Sequence, residues 1–495
     1  MNRIVFLVRA FCIAVVACVL LASAGGAANS VGPAQEIVSQ STSVVARIDD
    51  YRITREDVAK RLLQEMRPRE GEFQRQAEPV TAQAVLRKLL AEKAASMEGR
   101  RLGYLKDEQI HTNLVQFEQQ QLAGKLLQAE LGGKLTIEDS EIDRVMKDNP
   151  KATREQAMAF VQRMKVTRLR EQYYAQVTAK RGLKKMSESF ATVAQIHQRL
   201  LTQPAQPRGA NEYWIRNSQL VTDLTEEERN MPLAVYEGGQ FTLKDWFQTL
   251  CNIAPPRRPK DLDKPEGVQK LLDQALQLPV FAAEAQSQGY DKDPELRSAV
   301  KALEDRRLLY KVQEVMTKDV KEPTPEQVKE CFDKDPERFA TSAVLKADQI
   351  WCPDEETARK VKGMLEQGAD FQAVKKEHSL QKNVEVYSLS AGGEGLFWAD
   401  LWKGEPNQIL GPTPGFYGSG AKWRIVKVIE KTPAKAQPFS EQLASTVKWA
   451  IFSEQRQQAI KDHEQELLAK YPHEVFSDHL QGLDPLEIAM RQPDE

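Results

Sequence analysis

The chain has 495 residues, of which 41% are hydrophobic and 28% charged, and its formal net charge is −2. This composition excludes wholesale disorder, and the near-neutral charge leaves no basic excess with which to hold nucleic acid. A chain of this length has room for about two to four domains.

The first element in chain order, residues 1–28, is typical of a secretory signal peptide. Arg3 and Arg9 supply positive charge, a short apolar run follows, and Ala22-Ser23-Ala24 fits a cleavage site. The apolar run is shorter than the ~18 residues of a membrane-spanning helix. We therefore predict an exported protein, periplasmic or extracytoplasmic, with no transmembrane segment after signal removal. An uncleaved N-terminal anchor is the alternative interpretation.

A pattern that occurs twice comes next. Residues 45–57 and 233–245 both read as two short strands followed by a helix start, and Thr54 and Thr242 are the expected N-caps, 242 − 54 = 188 residues apart. The repeat continues downstream with a Gly-Tyr pair at Gly103 and again at Gly289. Long amphipathic helices fill the space between these landmarks.

The repeat predicts two helical units. We place the first over residues 44–200 and the second over 213–340, with a proline- and glycine-rich boundary between them. From 341 to 432 the pattern changes to strands alternating with short helices, which predicts a small β-α-β module. A charged helix over 436–475 is expected to pack on one of the helical units. The predicted fold class is α+β and predominantly helical.

Several motifs of the third region resemble those of a parvulin-type peptidyl-prolyl isomerase domain, and the helical units resemble the chaperone segments of the extracytoplasmic SurA/PrsA folding factors. The motifs, in order, are Ala347-Asp348-Gln349-Ile350, Gly368-Ala369-Asp370-Phe371, Gly392-Gly393-Glu394, Gly404-Glu405, Gly411-Pro412 and Trp423-Arg424-Ile425-Val426-Lys427-Val428. The resemblance implies an ATP-independent chaperone whose partners are unfolded or partly folded exported polypeptides, including proline-containing ones.

The chain departs from the parvulin pattern at the positions that carry the chemistry. Gln349 and Arg424 stand where the resemblance implies two histidines. An amide and a guanidinium cannot reproduce a pair of imidazoles with chosen tautomers. We therefore expect a degenerate module with little or no isomerase activity. Two alternatives stay open, namely an active isomerase that uses Gln349 and Arg424, and a dedicated assembly subunit for a single partner.

Aromatic residues are concentrated in the same module, and they are our candidate substrate-binding residues: Phe397, Trp398, Trp402, Phe416 and Tyr417. Ordinary core packing is the competing interpretation. The sequence shows no phosphate-binding loop and no ligand spacing of cysteine and histidine, so we expect no nucleotide, no metal and no cofactor. Cys352 is expected to be a packed thiol.

Overall fold

The computed structural model describes residues 43–67, 80–205, 213–382, 386–418 and 420–484, together with Leu486 and Met490. The predicted signal peptide, residues 1–28, lies outside the described residues. The described part of the chain is mostly helical and carries three small antiparallel sheets. The predicted α+β, predominantly helical fold class is confirmed.

Helices of eight residues or more are numbered in chain order. They are α1 Arg55–Met66, α2 Ala82–Arg101, α3 Glu108–Leu131, α4 Asp139–Asp148, α5 Arg154–Lys180, α6 Phe190–Thr202, α7 Leu243–Asn252, α8 Pro265–Ala275, α9 Gln277–Ser287, α10 Pro294–Met316, α11 Pro325–Lys334, α12 Glu355–Glu366, α13 Phe371–His378 and α14 Glu441–Lys470. Four shorter α-helices span Gln219–Thr222, Glu226–Asn230, Ala391–Glu394 and Trp398–Trp402.

The strands form three separate sheets. They are β1 Val44–Ile48, β2 Tyr51–Thr54, β3 Lys184–Lys185, β4 Pro232–Tyr236, β5 Gly239–Thr242, β6 Val344–Cys352, β7 Tyr387–Ser390, β8 Ile409–Tyr417, β9 Gly420–Thr432 and β10 His473–Val475. The strand orders are β10-β1-β2, β3-β4-β5 and β7-β6-β9-β8. The third sheet lies within the predicted range 341–432.

The two hairpins of the sequence repeat, β1-β2 and β4-β5, have the same local structure. Each register shifts once near the start of its first strand. The helix after each hairpin begins with a complete capping box, in which Thr54 pairs with Asp57 and Thr242 with Asp245. In both boxes the threonine N–H donates to the aspartate Oδ2 over 2.8 Å. The cap residues that the sequence marks therefore fix where α1 and α7 start.

The described residues divide into two compact units that do not coincide with the predicted helical units. Those from Lys106 to Glu304 form unit 1, and those before Lys106 and after Glu304 form unit 2. The predicted ranges 44–200 and 213–340 each contribute residues to both. They therefore describe the sequence repeat and not the compact bodies.

The hydrophobic cores explain this division, because a core cluster in each unit combines helices from both copies of the repeat. In unit 1, Phe281 of α9 shares a cluster with Leu122 and Leu126 of α3. In unit 2, Leu90 of α2 shares a cluster with Val312 of α10. The helix before each Gly-Tyr landmark thus packs on the helix that follows the landmark of the other copy.

The third strand of each small sheet shows the same exchange. In unit 1, β3 follows α5 and pairs with β4, and in unit 2, β10 follows α14 and pairs with β1. A buried glutamate holds each helix end. Glu284 accepts from Arg181 Nε at 2.7 Å, and Glu98 accepts from Lys470 Nζ at 2.7 Å. Helices α5 and α14 are therefore structural counterparts.

The four-stranded sheet is an insertion into one copy only. In unit 1, α4 and α5 are joined directly by residues 149–153. In unit 2, the counterparts α11 and α14 are separated by the whole segment from β6 to β9. We call the segment 341–432 the sheet module.

Candidate functional site

The centre of the sheet module brings the two degenerate positions together. Gln349 lies on β6 and Arg424 on the neighbouring β9, where Arg424 is paired in register with Trp351. The Arg424 Nη1 donates a hydrogen bond of 2.9 Å to the Gln349 Oε1. Both side chains are buried. The structure therefore places these two residues side by side.

A third member of this cluster, Glu394, was not recognised from the sequence. It ends the short helix Ala391–Glu394 and is buried. Its carboxylate accepts from Arg424 Nη1 at 3.3 Å and from Nη2 at 2.5 Å. The signal that could have revealed it is Arg424 itself, because a strand arginine between apolar neighbours needs a buried carboxylate.

The Arg424 guanidinium is packed closely against the residues around it. It lies 5.0 Å from the centre of the Trp351 ring. A Cβ built on Gly415 would come within 2.5 Å of Arg424 Nε and 2.7 Å of Trp351 Cη2. Gly415 is therefore required for β8 to pass this side chain. The Nε has no hydrogen-bond partner among the described residues and is buried.

The chemistry of this cluster is that of a closed ion pair. A guanidinium in a protein stays charged and only donates, and the glutamate that it faces only accepts. The two Nη groups of Arg424 are taken up by the Glu394 carboxylate and the Gln349 amide oxygen, so the buried positive charge is paired. We call Gln349, Glu394 and Arg424 the arginine cluster.

A second buried pair lies next to it on the same strand. Asp348 of β6 forms an ion pair with Lys375 of α13, and both are buried. Gln372 Nε2 donates to the second carboxylate oxygen of Asp348 at 2.6 Å. Burial, followed by the charge of Asp348, raises the pKa of Tyr387. In each of these two buried ion pairs of the module, a positive side chain faces a negative one.

The five predicted substrate-binding aromatics form separate ring pairs. Phe397 contacts Phe416 with ring centres 5.1 Å apart, and Trp398 stacks on Trp402 at the same distance. Tyr417 pairs with Trp351, also at 5.1 Å. Phe397 is buried and the other four are half-buried. Their predicted role in binding substrate stays a prediction.

Two of these aromatic groups pack on different parts of unit 2. Trp398 and Trp402 lie against the core cluster of β6 and β9. Phe416 lies against Leu63 of α1, and the guanidinium of Arg67 is 5.5 Å from its ring centre. Arg67 also donates to the carbonyl oxygens of Gly418 and Gly420 at 3.0 and 2.9 Å.

The thiols and the metal-ligating residues offer no further chemistry in the described part of the chain. Cys352 is fully buried, and burial raises its pKa to about 11. Its thiol is therefore protonated and packed at neutral pH. Among the described residues no group of His, Cys, Asp and Glu is arranged to hold a metal ion.

Several exposed apolar side chains lie on the long helices. On α5, Met158, Phe160 and Met164 are 45%, 46% and 58% exposed, and on α14 Trp449 is 59% exposed. Large side chains of this kind gain free energy when a partner covers them. No helix among the described residues is long and apolar enough to cross a membrane.

No protein-family model matches the chain, and no curated protein matches it. Among solved structures it is similar to a SurA-like chaperone of Campylobacter jejuni, with 17% identity, a TM-score of 0.25, and coverage of 48% of this chain and 98% of the other.

PrsA proteins are similar too. The foldase PrsA of Streptococcus pneumoniae matches with 19% identity, a TM-score of 0.23, and coverage of 41% of this chain and 75% of the other. The peptidylprolyl isomerase PrsA of Bacillus anthracis matches with 18% identity, a TM-score of 0.20, and coverage of 38% and 85%. All three TM-scores lie below 0.5, so the function has to be argued from the residues of this chain.

Proposed function

We propose that this protein is an exported, ATP-independent folding factor that binds non-native polypeptides, and that its sheet module contributes no prolyl isomerase activity. Export rests on the signal-like segment 1–28, and binding rests on the apolar side chains of the long helices. Holding an unfolded client lowers its free concentration and thereby slows its aggregation.

The arginine cluster is the observation that carries the proposal. Rotation about a peptide bond has a barrier of ~18–20 kcal/mol, and a catalyst must favour the twisted amide over the planar one. In this module the Arg424 guanidinium donates to Glu394 and Gln349, so its charge is already neutralised. These contacts support a structural role for the residues that stand at the catalytic positions.

The helices support the binding role. Met158, Phe160 and Met164 stay exposed although α5 buries Ala157 and Val161 in the same turns. Methionine adapts its shape to different partners, and an aromatic ring contributes a large contact area. Such a surface suits weak, reversible contact with many unfolded sequences.

Two parallel assays test the proposal. In the first, light scattering follows the aggregation of several unrelated denatured proteins with and without the purified chain, in the absence of ATP. In the second, the isomerisation of a proline peptide is followed with the same preparation. We expect slower aggregation of all clients and an isomerisation rate at background.

The alternatives predict different results. An active isomerase would give a rate clearly above background that collapses in Gln349→Ala. A dedicated assembly subunit would leave unrelated clients unprotected and would retain one stoichiometric partner in a pull-down. Either result would overturn the proposal.

A further inference from the structure

The counterpart helices α5 and α14 allow residue-by-residue comparison of the two units. Lys180 and Lys470 hold equivalent buried glutamates at the two helix ends, which sets an offset of 470 − 180 = 290. Counting back without a gap, Phe160 corresponds to Ala450 and Met164 to Glu454. The offset is supported by the buried positions, because Ala157 then matches Val447 and both are buried.

In unit 2 the chain itself covers this helix face. Ala450 and Val447 share a hydrophobic cluster with Phe339. Phe339 ends the 3-10 turn Pro336–Phe339, and Arg338 beside it forms an ion pair with Glu454. The segment that covers this face therefore carries an aromatic ring, Phe339, next to a positive charge, Arg338. The helix supplies the negative charge of Glu454.

In unit 1 the equivalent face has no such cover among the described residues. Residues 149–153 lead directly from α4 into α5, where unit 2 has the turn Pro336–Phe339. Phe160 and Met164 are four residues apart and therefore neighbours on one side of the helix. Both are about half exposed, although Ala157 and Val161 of the same helix are buried and α5 packs against α4.

The charge on this face is reversed relative to unit 2. The position of Glu454 is taken by the neutral Met164, and Arg163 lies exposed beside it. The Arg163 Nε donates a hydrogen bond of 3.3 Å to the carbonyl oxygen of Ala159, one turn earlier in the same helix. A partner that complements the face must therefore carry an apolar ring and a negative charge.

We propose that the face formed by Phe160, Arg163 and Met164 is a client-binding site for unfolded segments in which an aromatic residue is next to an acidic one. The client ring takes the place that Phe339 has in unit 2, and the client carboxylate pairs with Arg163. This inference rests on the proposed function, since it names the class of client that one arm selects. The charge preference weakens as salt is added, because the pair is exposed.

Peptide binding by the purified full chain tests the site. Two fluorescently labelled unstructured peptides of equal length carry either Phe-Asp or Phe-Lys pairs, and anisotropy gives their dissociation constants. We expect tighter binding of the Phe-Asp peptide, a loss of about ten-fold in Phe160→Ala, and loss of the preference in Arg163→Gln. Met164→Glu recreates the charge of unit 2 and should reverse the preference toward Phe-Lys.

Met158→Ala is the matched control. Met158 is as exposed as Phe160, but two residues along a helix turn it by about 200°, onto another side. It should bind both peptides as the unmodified chain does. Circular dichroism of each variant checks that the exposed substitutions leave the helices folded.

Three outcomes overturn the inference. One is equal binding of the two peptides by the unmodified chain, and another is unchanged binding in both Phe160→Ala and Met164→Glu. The third is a dimer, seen in sedimentation, that Phe160→Ala dissociates, since the occupant would then be a second copy. If the chain still slows client aggregation in these cases, only the site is wrong; if it slows no aggregation, the proposed function fails as well.

Discussion

The two compact units share a scaffold but differ in what is added to it. Unit 2 carries the inserted sheet module, whose buried charges are paired, and its long helix α14 is covered by the turn Pro336–Phe339. In unit 1, residues 149–153 connect α4 directly to the long helix α5. Phe160 and Met164 of α5 are exposed at the positions that correspond to Ala450 and Glu454. The equivalent apolar face of the long helix is thus covered by the chain itself in unit 2 and left exposed in unit 1.

That contrast separates two kinds of site. A buried cluster whose charges are paired stabilises one conformation and leaves little for a substrate to bind. An exposed apolar face costs the free protein little and gains free energy only when something covers it.

Removing Glu394 should break the closed cluster most severely. Glu394→Ala leaves the buried Arg424 charge uncompensated, which costs about 3–5 kcal/mol. Urea unfolding followed by tryptophan fluorescence measures the change in the free energy of unfolding. Glu405→Ala is the control, because Glu405 is exposed and 3.4 Å from Lys431, and it should cost less than about 1 kcal/mol. Equal losses in the two variants would mean that the arginine cluster is not closed as described.

Lowering the pH should act on unit 1 through His197. This ring is buried against Trp246 and Phe247, and burial lowers its pKa to about 4. The charge of Asp263 raises the pKa and that of Arg258 lowers it, both by less than burial does. Since the unfolded chain takes up the proton near pH 6.5, stability is complete above that pH.

Stability then falls as the pH drops and levels off near pH 4, with a total loss of about 3 kcal/mol. Unfolding free energies measured between pH 7.5 and pH 4 give the slope, and His197→Phe should flatten it. The exposed His473 provides the control, because His473→Gln should leave the slope unchanged. A slope that persists in His197→Phe would show that another group is responsible.

Adding one methyl group at Gly415 should strain the arginine cluster. The new Cβ in Gly415→Ala would contact Arg424 Nε and Trp351, so we expect a loss of about 1–3 kcal/mol. Gly392→Ala serves as the control in thermal unfolding, because the nearest atom to its Cβ is Ser390 Oγ at 4.0 Å. Gly415→Ala unfolding at the temperature of the unmodified chain would contradict the packing.

The smallest expected effect concerns the thiols. Cys251 and Cys352 are buried, and burial raises the pKa of each to about 11, whereas Cys331 is half-buried. Among these three cysteines, a thiol reagent added to the folded chain should therefore label Cys331 first. Mass spectrometry of the digested chain gives the order of labelling. Early labelling of Cys352 would place it at an accessible surface of the module.

Local features of this fold could be predicted from the sequence because they depend on nearby residues. The strand–turn–strand patterns and the caps Thr54 and Thr242 sit where the repeat predicts them. The exchange of helices between the copies could not be predicted. It depends on packing between residues far apart in the chain, as between Phe281 and Leu122 in unit 1 and between Leu90 and Val312 in unit 2.

The site was predicted in part. Gln349 and Arg424 were identified as replaced positions, and the structure places them in contact. Glu394 was read only as part of a glycine-rich motif, because its role depends on a strand thirty residues further along the chain. The aromatic residues were grouped by sequence density, whereas ring contacts divide them into pairs.

The most direct test of the account is client protection by a chain whose open apolar face has been removed. Phe160→Ser and Met164→Ser are combined, and the aggregation of a denatured client is followed by light scattering at equal protein concentrations. We predict that the unmodified chain delays aggregation without ATP and that the double variant, equally stable, loses most of the delay. Equal protection by the two chains would contradict the account.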